Sequence, residues 1–309
     1  MTNLEWLLGG DPVIVHLVRK YLLDEPSETH NQGLIQQYLD RIDPQTLMWG
    51  NGYYGPKWIS THYTLLELRE MEIMPGTPVY RDSLIHYLDH EWQHRISPRG
   101  IESMDLCITG MLINLLAYGM IDDPRLRQMI DYVLDHPMAD GGWNCRWNHS
   151  PFPAISSVHT TINVLEGLAE YRREGFAYRC QEVDRAILQG IQVLLGRQLI
   201  YVKNTRTPIH PEMARHHYPP RWKYDYLRVL EFLARRHDPL HDDMEPALTL
   251  LEQHIVNGRL TRGSRVPGLI HFPLEQERYG RFNTLRAYIV LKEYRPEVYQ
   301  QCIKGGNSV

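Results

Sequence analysis

Apolar residues recur at helical spacing along most of the chain, and no stretch alternates between apolar and polar positions as a half-buried strand would. Pro124 and Pro246 stand where a first-turn proline of a helix is tolerated. The clearest amphipathic segments are residues 79–92, 125–134, 183–195 and 244–255. This pattern predicts an all-α fold.

A second set of apolar segments repeats at long intervals. Residues 56–68 align without a gap with residues 220–232, and looser copies lie between and after them. The leucines that anchor the copies are separated by 49 to 65 residues: Leu66, Leu116, Leu165, Leu230 and Leu291. Each step predicts one helical hairpin, with an inner helix at the leucine and an outer helix after it. Because ordinary helical solenoids repeat every 33 to 47 residues or so, we expect these longer hairpins to close into a ring.

The expected architecture is therefore an α/α toroid (barrel) of five to six helical hairpins, formed by a single domain over residues 1–309. Residues 1–33 would supply an N-terminal helix and lead-in, residues 34–294 the toroid repeats, and residues 295–309 a C-terminal helix and tail.

Composition argues against some classes of function. A formal net charge of −4 argues against nucleic-acid binding, which needs a basic surface. The sequence contains no run of about 18 apolar residues, so it predicts no transmembrane segment. The four cysteines lack CxxC spacing, which favours reduced thiols and a cytoplasmic location. The 19 Tyr and 7 Trp, against 5 Phe, suit either a large core or a wall facing a ligand.

The segment Asp140-Gly141-Gly142-Trp143, followed by the Ser-Ser-Val-His-Thr-Thr of residues 156–161, resembles a repeat of the prenyltransferase and squalene-cyclase superfamily. The resemblance extends as a pattern over residues 34–294. It implies a terpenoid-cyclase-type toroid whose inner helices line a central cavity for a small apolar or isoprenoid ligand. The transferase branch of this superfamily also implies a partner subunit, while a homo-oligomer is the alternative.

The cyclase branch protonates an alkene with a DxDD motif, and the sequence has none. The pairs Asp122-Asp123 and Asp242-Asp243 lack that spacing. Each pair comes directly before a predicted helix, where acidic side chains favour the positive end of the helix dipole. We interpret both as capping features.

The protein-prenyltransferase branch holds zinc with an Asp-x-Cys on one inner helix and a His on the next. Carried over by this resemblance, Asp105 and Cys107 match the Asp-x-Cys, and His159 matches the His. Carboxylate, thiolate and imidazole are suitable zinc ligands, and a bound metal would activate a substrate thiol. Zinc is therefore the expected metal, with magnesium as the alternative.

Polar and aromatic residues gather where the inner helices begin. His62, His159, Asp105 and Asp225 are the candidates for acid–base catalysis there, if partial burial shifts their pKa values. The π faces of nearby aromatic residues would bind a carbocation, an apolar chain or a sugar: Trp58, Trp143, Trp147, Trp222 and Tyr224. Basic residues near the same positions would bind a diphosphate: Lys57, Arg99, Arg146, Arg221, Lys223 and Arg281.

Three functions fit these residues. The first is an isoprenoid-handling enzyme, either a prenyltransferase-like or a cyclase-like protein. The second is a carbohydrate-active hydrolase or lyase that works through Asp105, His159 and Asp225. The third is a non-catalytic toroid that binds a ligand or partner, because a fold alone does not establish a reaction.

Overall fold

A computed structural model describes residues 1–27, 30–264 and 266–305, so the end of the predicted C-terminal tail lies outside it. These residues pack into two compact units. The first unit contains Met1–Asp40, Met71–Ile73 and Leu195–Val309, and the second contains Arg41–Glu70 and Met74–Leu194.

Helices account for all the regular structure of the described residues apart from four isolated bridges. The α-helices, in chain order, are α1 Asn3–Leu8, α2 Pro12–Leu22, α3 Leu34–Leu39, α4 Thr61–Glu70, α5 Pro78–Glu91, α6 Ser97–Arg99, α7 Leu106–Tyr118, α8 Pro124–Asp135, α9 Val158–Arg173, α10 Cys180–Leu195, α11 Tyr226–Arg235, α12 Glu245–His254, α13 Arg281–Tyr294 and α14 Pro296–Lys304. The prediction of an all-α fold is confirmed. None of the described helices is long and apolar enough to cross a membrane.

The repeat predicted from the leucines corresponds to five helix pairs: α4 with α5, α7 with α8, α9 with α10, α11 with α12, and α13 with α14. The inner helices are buried on nearly every side, and in α7 every residue from 108 to 118 is buried. The outer helices bury one stripe. In α8 this stripe includes Leu126, Met129, Ile130 and Val133, which matches the helical spacing of the sequence.

Threonines at the starts of inner helices hold the preceding loops in place. The hydroxyl of Thr161 accepts a hydrogen bond from the backbone N–H of Trp143 at 3.1 Å, and Thr61 accepts one from Trp49 at 3.1 Å. Both tryptophans are fully buried. In the first unit Thr284 accepts the N–H of Leu260 in the same way, also at 3.1 Å. The repeat therefore includes the loop as well as the helices.

The second unit contains a very close contact between α7 and α9, which two glycines permit. A Cβ atom on Gly110 would lie 2.6 Å from the carbonyl oxygen of Asn163, and one on Gly167 would lie 2.2 Å from the carbonyl oxygen of Gly110. The contact fixes the separation of the two inner helices, whose first turns carry several of the predicted site residues.

In the first unit, buried ion pairs connect helices that are distant in sequence. Glu72 accepts hydrogen bonds from Lys20 and Tyr21 of α2, and Arg235 of α11 lies 3.8 Å from it. Arg235 also pairs with Glu231 at 2.7 Å, and Glu231 accepts a further bond from Arg286 of α13. Burial of these charges is tolerated because each carboxylate is paired and hydrogen-bonded.

Asp123 caps α8 through a bond from the N–H of Arg125, as predicted for the first acidic pair. The second pair lies in the first turn of a short 3-10 helix that leads into α12, as the dipole argument predicted, but neither residue makes the capping bond. The cap is the ring of His241, which accepts the N–H of Asp243 at 3.1 Å. The imidazole supplies the acceptor that the acidic side chains were expected to supply.

Candidate functional site

Tyr54 lies in the second unit beside the start of α4 and near the start of α7. Its ring lies 5.1 Å from the ring of His62 and 5.4 Å from that of Tyr63. Burial raises the pKa of Tyr54, and the charges of Cys107 and Asp105 raise it further. A loop residue that precedes α4 thus joins side chains from two inner helices.

His62 is completely buried in this cluster. Its Nδ1 lies 3.2 Å from the hydroxyl of Tyr87, and no hydrogen-bond partner for its Nε2 is found among the described residues. Burial lowers the pKa of His62 to about 3, and the positive charge of Lys57 contributes. His62 is therefore neutral at physiological pH, and its ring lies among those of Tyr54, Tyr63 and Tyr87.

The same cluster presents aromatic faces to a positive charge. The Nζ atom of Lys57 lies 5.6 Å from the ring centre of Tyr54 and 5.5 Å from that of Trp58. Trp58 is buried and packs edge-on against Tyr63 at 4.8 Å. These distances are those of cation–π contacts.

Two thiols lie beside the aromatic cluster. The sulfur of Cys145 accepts a bond from the backbone N–H of Cys107 at 3.3 Å and another from the hydroxyl of Thr160 at 3.3 Å. The two thiols also affect each other's ionisation. Interaction with Cys107 lowers the pKa of Cys145, while interaction with Cys145 and burial raise the pKa of Cys107.

The predicted zinc ligands are not brought together. Asp105 is the N-cap residue of α7, and Cys107 faces Cys145. His159 is the second residue of α9 and is half-buried. Across residues 1–27, 30–264 and 266–305, no three His, Cys, Asp or Glu side chains are grouped so that they could hold a metal ion. The residues present therefore do not fit the zinc or the magnesium that the resemblance implies, and we derive no step through a metal.

Asp225 takes part in a different arrangement from the predicted acid–base pair. It caps α11 by accepting the N–H of Arg228 at 2.8 Å, and its second oxygen lies 3.2 Å from Nδ1 of His217. Asp225 has no solvent exposure, and His217 is 2% exposed. The imidazole partner is therefore His217, and neither His62 nor His159 fills that role. A fully buried carboxylate that caps a helix is poorly placed to act on a sugar.

Two predicted aromatic platforms are core residues. Trp143 is fully buried, and its indole N–H donates to the carbonyl of Val133 at 2.7 Å. Tyr224 is equally buried and donates to the carbonyl of Leu199 at 2.6 Å. Both predictions of ligand contact were wrong, because the indole N–H and the tyrosine hydroxyl each donate to a backbone carbonyl.

Trp147 and Trp222 keep some exposure. The ring of Trp147 lies 4.0 Å from that of His136, and its N–H donates to the hydroxyl of Tyr132 at 3.2 Å.

Three of the predicted anion-binding residues lie in the first unit. Arg281 lies over the ring of Trp6 at 4.7 Å and donates to the carbonyl of the same residue. Arg221 is buried, and the backbone carbonyl of Lys223 accepts a bond from the side chain of Arg228. Among the basic candidates, Lys57 belongs to the aromatic cluster.

Tyr54, Tyr63, Cys145 and His217 were missed by reasoning from the sequence. Cys145 is the second residue after the Asp-Gly-Gly-Trp segment, and this position was the available signal for it. Tyr63 lies in an aligned repeat and Tyr54 just before it, but nothing in the pattern indicates which aromatic residues face one another. Comparisons with models of protein families and with curated proteins find no match for this chain.

Proposed function

We propose that this chain is an isoprenoid-handling enzyme that binds the apolar part of its ligand against Tyr54, Trp58 and Tyr63. The observation that carries the proposal is the neutral His62. Its buried Nε2 has no hydrogen-bond partner among the described residues, and its ring lies 5.1 to 5.7 Å from the rings of Tyr54, Tyr63 and Tyr87. The ligand would be a polyprenyl chain, free or as a diphosphate, and the enzyme would be cytoplasmic.

Aromatic faces suit such a ligand for two reasons. They bury apolar surface, which contributes about 25 cal/mol per Å² of area removed from water. They also attract a positive charge through the ring quadrupole, and Lys57 already occupies this position over two rings. An allylic cation that develops during isoprenoid chemistry would be stabilised by the same faces.

The low pKa of His62 determines which proton transfers it can perform. A group with a pKa of about 3 is unprotonated near neutral pH, so it cannot donate a proton to an alkene. It can accept one from a carbocation, whose neighbouring C–H bonds are strongly acidic. The absence of a DxDD motif from the sequence agrees with this role.

Ligand access depends on the loop before α4. Tyr54 lies against His62, and its neighbours Gly55, Pro56 and Lys57 are exposed. A polyprenyl chain therefore reaches His62 when the ring of Tyr54 is displaced. Lys57 is suitably placed to contact a diphosphate at the surface of the same loop.

The toroid is also part of this proposal. Successive inner helices contact each other within the units, α4 with α7, α7 with α9, and α11 with α13, and α13 also packs on α2. Such serial contact of buried helices is expected of a ring of hairpins. A crystal structure of the whole chain tests the ring directly.

Binding tests the function. We expect farnesol and farnesyl diphosphate to raise the melting temperature of the wild-type protein, and inorganic pyrophosphate alone to leave it unchanged. Tyr54→Ala should weaken farnesol binding about tenfold by calorimetry, the effect of one lost aromatic contact. Tyr178→Ala, on an exposed tyrosine of the same unit, is the matched control. Unaltered melting with every polyprenyl compound would reject the proposal.

Turnover separates an enzyme from a binding protein. His62→Gln keeps a polar group of similar size but removes the imidazole, so the variant should bind farnesol and lose product formation from farnesyl diphosphate. If wild type binds the ligand without any turnover, the non-catalytic alternative is correct.

A further inference from the structure

The thiols of Cys107 and Cys145 take no part in the proposed isoprenoid chemistry, yet their surroundings are specific. Two donors converge on the sulfur of Cys145: the N–H of Cys107 and the hydroxyl of Thr160. Thr160 in turn accepts the backbone N–H of Cys145 at 3.3 Å, so the cysteine is held at both its sulfur and its backbone.

The sulfur of Cys145 occupies the position of a helix cap. The second N–H of α7, that of Cys107, has no partner within its own helix, and an N-cap side chain usually accepts it. Asp105 stands at the N-cap but makes no such bond, and the sulfur of Cys145 accepts the N–H instead. The positive end of the helix dipole therefore favours a negative charge on this sulfur.

The second thiol of the pair is positioned to react with the first. The backbone N–H of Cys107 lies 3.3 Å from the sulfur of Cys145, so the two cysteines are neighbours, and both are partly exposed to solvent. Cys302, by contrast, is buried, and burial raises its pKa to about 11. Cys180 lies at the first position of the outer helix α10. Cys107 and Cys145 are thus the cysteines that contact one another.

We propose that Cys145 and Cys107 form a modification site for hydrogen peroxide, which converts the two thiols into an intramolecular disulfide. The thiolate of Cys145 attacks one peroxide oxygen, an S–O bond forms, the O–O bond breaks, and hydroxide leaves. Cys107 then attacks the sulfur of Cys145, the S–O bond breaks, and the second oxygen leaves as water with the proton from Cys107. In total two thiols lose two electrons and two protons, and one peroxide becomes two waters.

The first experiment uses the full, reduced chain. Limiting peroxide is added, remaining thiols are blocked with N-ethylmaleimide, and peptides are mapped without reduction. We expect one cross-link, between the peptides of Cys107 and Cys145, with a mass lower by two hydrogens and reversal by dithiothreitol. The proposal would be overturned if Cys145 were still reduced after this treatment and therefore blocked by N-ethylmaleimide. Oxidation of Cys180 or Cys302 before Cys145 would also overturn it.

Variants assign the two roles. Cys107→Ser should stop the reaction at a sulfenic acid on Cys145, detected with dimedone, whereas Cys180→Ser should form the disulfide as wild type does. Thr160→Val removes one donor to the sulfur and should slow labelling of Cys145 by monobromobimane about tenfold at neutral pH. Circular dichroism verifies that each variant is folded. Equal labelling rates in wild type and a folded Thr160→Val variant would contradict the assigned geometry.

Discussion

A buried imidazole without a charged partner makes the stability of this protein sensitive to acid. His62 remains neutral in the folded chain down to a pH of about 3, because burial penalises its charged form. In the unfolded chain the same ring takes up a proton near pH 6.5. The folded state therefore loses stability as the pH falls from 6.5 towards 3.

We predict that His62→Gln removes the part of the acid-induced loss of stability that is due to His62. The free energy of unfolding of wild type should fall between pH 7 and pH 4 by on the order of 3 kcal/mol more than that of the variant. Urea unfolding followed by circular dichroism at the two pH values measures the difference. His237→Gln, at a largely exposed position, is the control. Parallel pH dependences in wild type and His62→Gln would contradict the prediction.

Glu275 makes the stability of the folded chain depend on pH in the opposite direction. Burial raises its pKa to about 7, although it accepts the N–H of Phe282 at 2.7 Å. The folded chain keeps this proton between pH 4.5 and 7, while the unfolded chain releases it. Stability therefore falls as the pH rises through that window and is constant above it.

Glu275→Gln should abolish that decline. At pH 7.5 the variant is expected to be more stable than wild type by about 2 kcal/mol, and at pH 4 the two should be equal. Thermal unfolding across this pH range provides the measurement, with Glu277→Gln as the exposed control. A variant that is less stable than wild type at pH 7.5 would show that the carboxylate stabilises the fold.

At the scale of the helices, the contact between α7 and α9 depends on the absence of two side chains. Since each Cβ would collide with backbone, the neighbour cannot rotate away as a flexible side chain would.

Gly110→Ala and Gly167→Ala should each destabilise the protein by about 3 kcal/mol. Gly76→Ala is the matched control, because a Cβ there has nothing within 4 Å. Urea unfolding of the three variants makes the comparison. If Gly110→Ala and Gly76→Ala unfold at the same urea concentration, the two helices are farther apart than described.

The sequence allowed the helices to be predicted better than the site. Leu116 and Leu165 mark inner helices because a helix buried on all sides must carry apolar residues at every face, and that leaves a strong pattern. The cap of α7 leaves no such pattern in the sequence. Asp105 has the right residue type at the right position, but the N–H of Cys107 donates to a loop sulfur 38 residues after Cys107 in the chain. Loop conformation decides such contacts, and hydrophobic periodicity carries no information about it.

The same reason explains the errors among aromatic residues. A tryptophan in a Gly-rich loop is equally compatible with a ligand wall and with the core. Trp143 belongs to the core, where its indole N–H donates to the carbonyl of Val133. Residue type could not reveal the distance between these two groups.

At the scale of the whole molecule, the first unit joins the two ends of the described chain. Trp6 is buried between the guanidinium groups of Arg259 and Arg281, at 4.1 and 4.7 Å from its ring. The side chain of Asn3 also donates to the carbonyl of Cys302 at 2.8 Å. The first helix is therefore part of a unit otherwise formed mainly by residues after 194.

Trp6→Ala should destabilise the chain by about 4 kcal/mol, through lost burial and two lost cation–π contacts. Trp92→Ala, which also removes a cation–π contact but at a half-exposed ring, should cost clearly less. Denaturant unfolding monitored by circular dichroism compares them. Equal losses of stability in the two variants would contradict a supporting role for the first helix.

The interleaving of the two units in the sequence has a consequence for synthesis on the ribosome. The second unit needs residues only as far as Leu194, so it can fold while later residues are still being translated. Helix α2, which emerges much earlier, must wait for α11 and α13 before its apolar face and Glu72 acquire their partners. The N-terminal segment of the nascent chain therefore lacks its partners until α13 has been translated, and this segment is where a chaperone would bind.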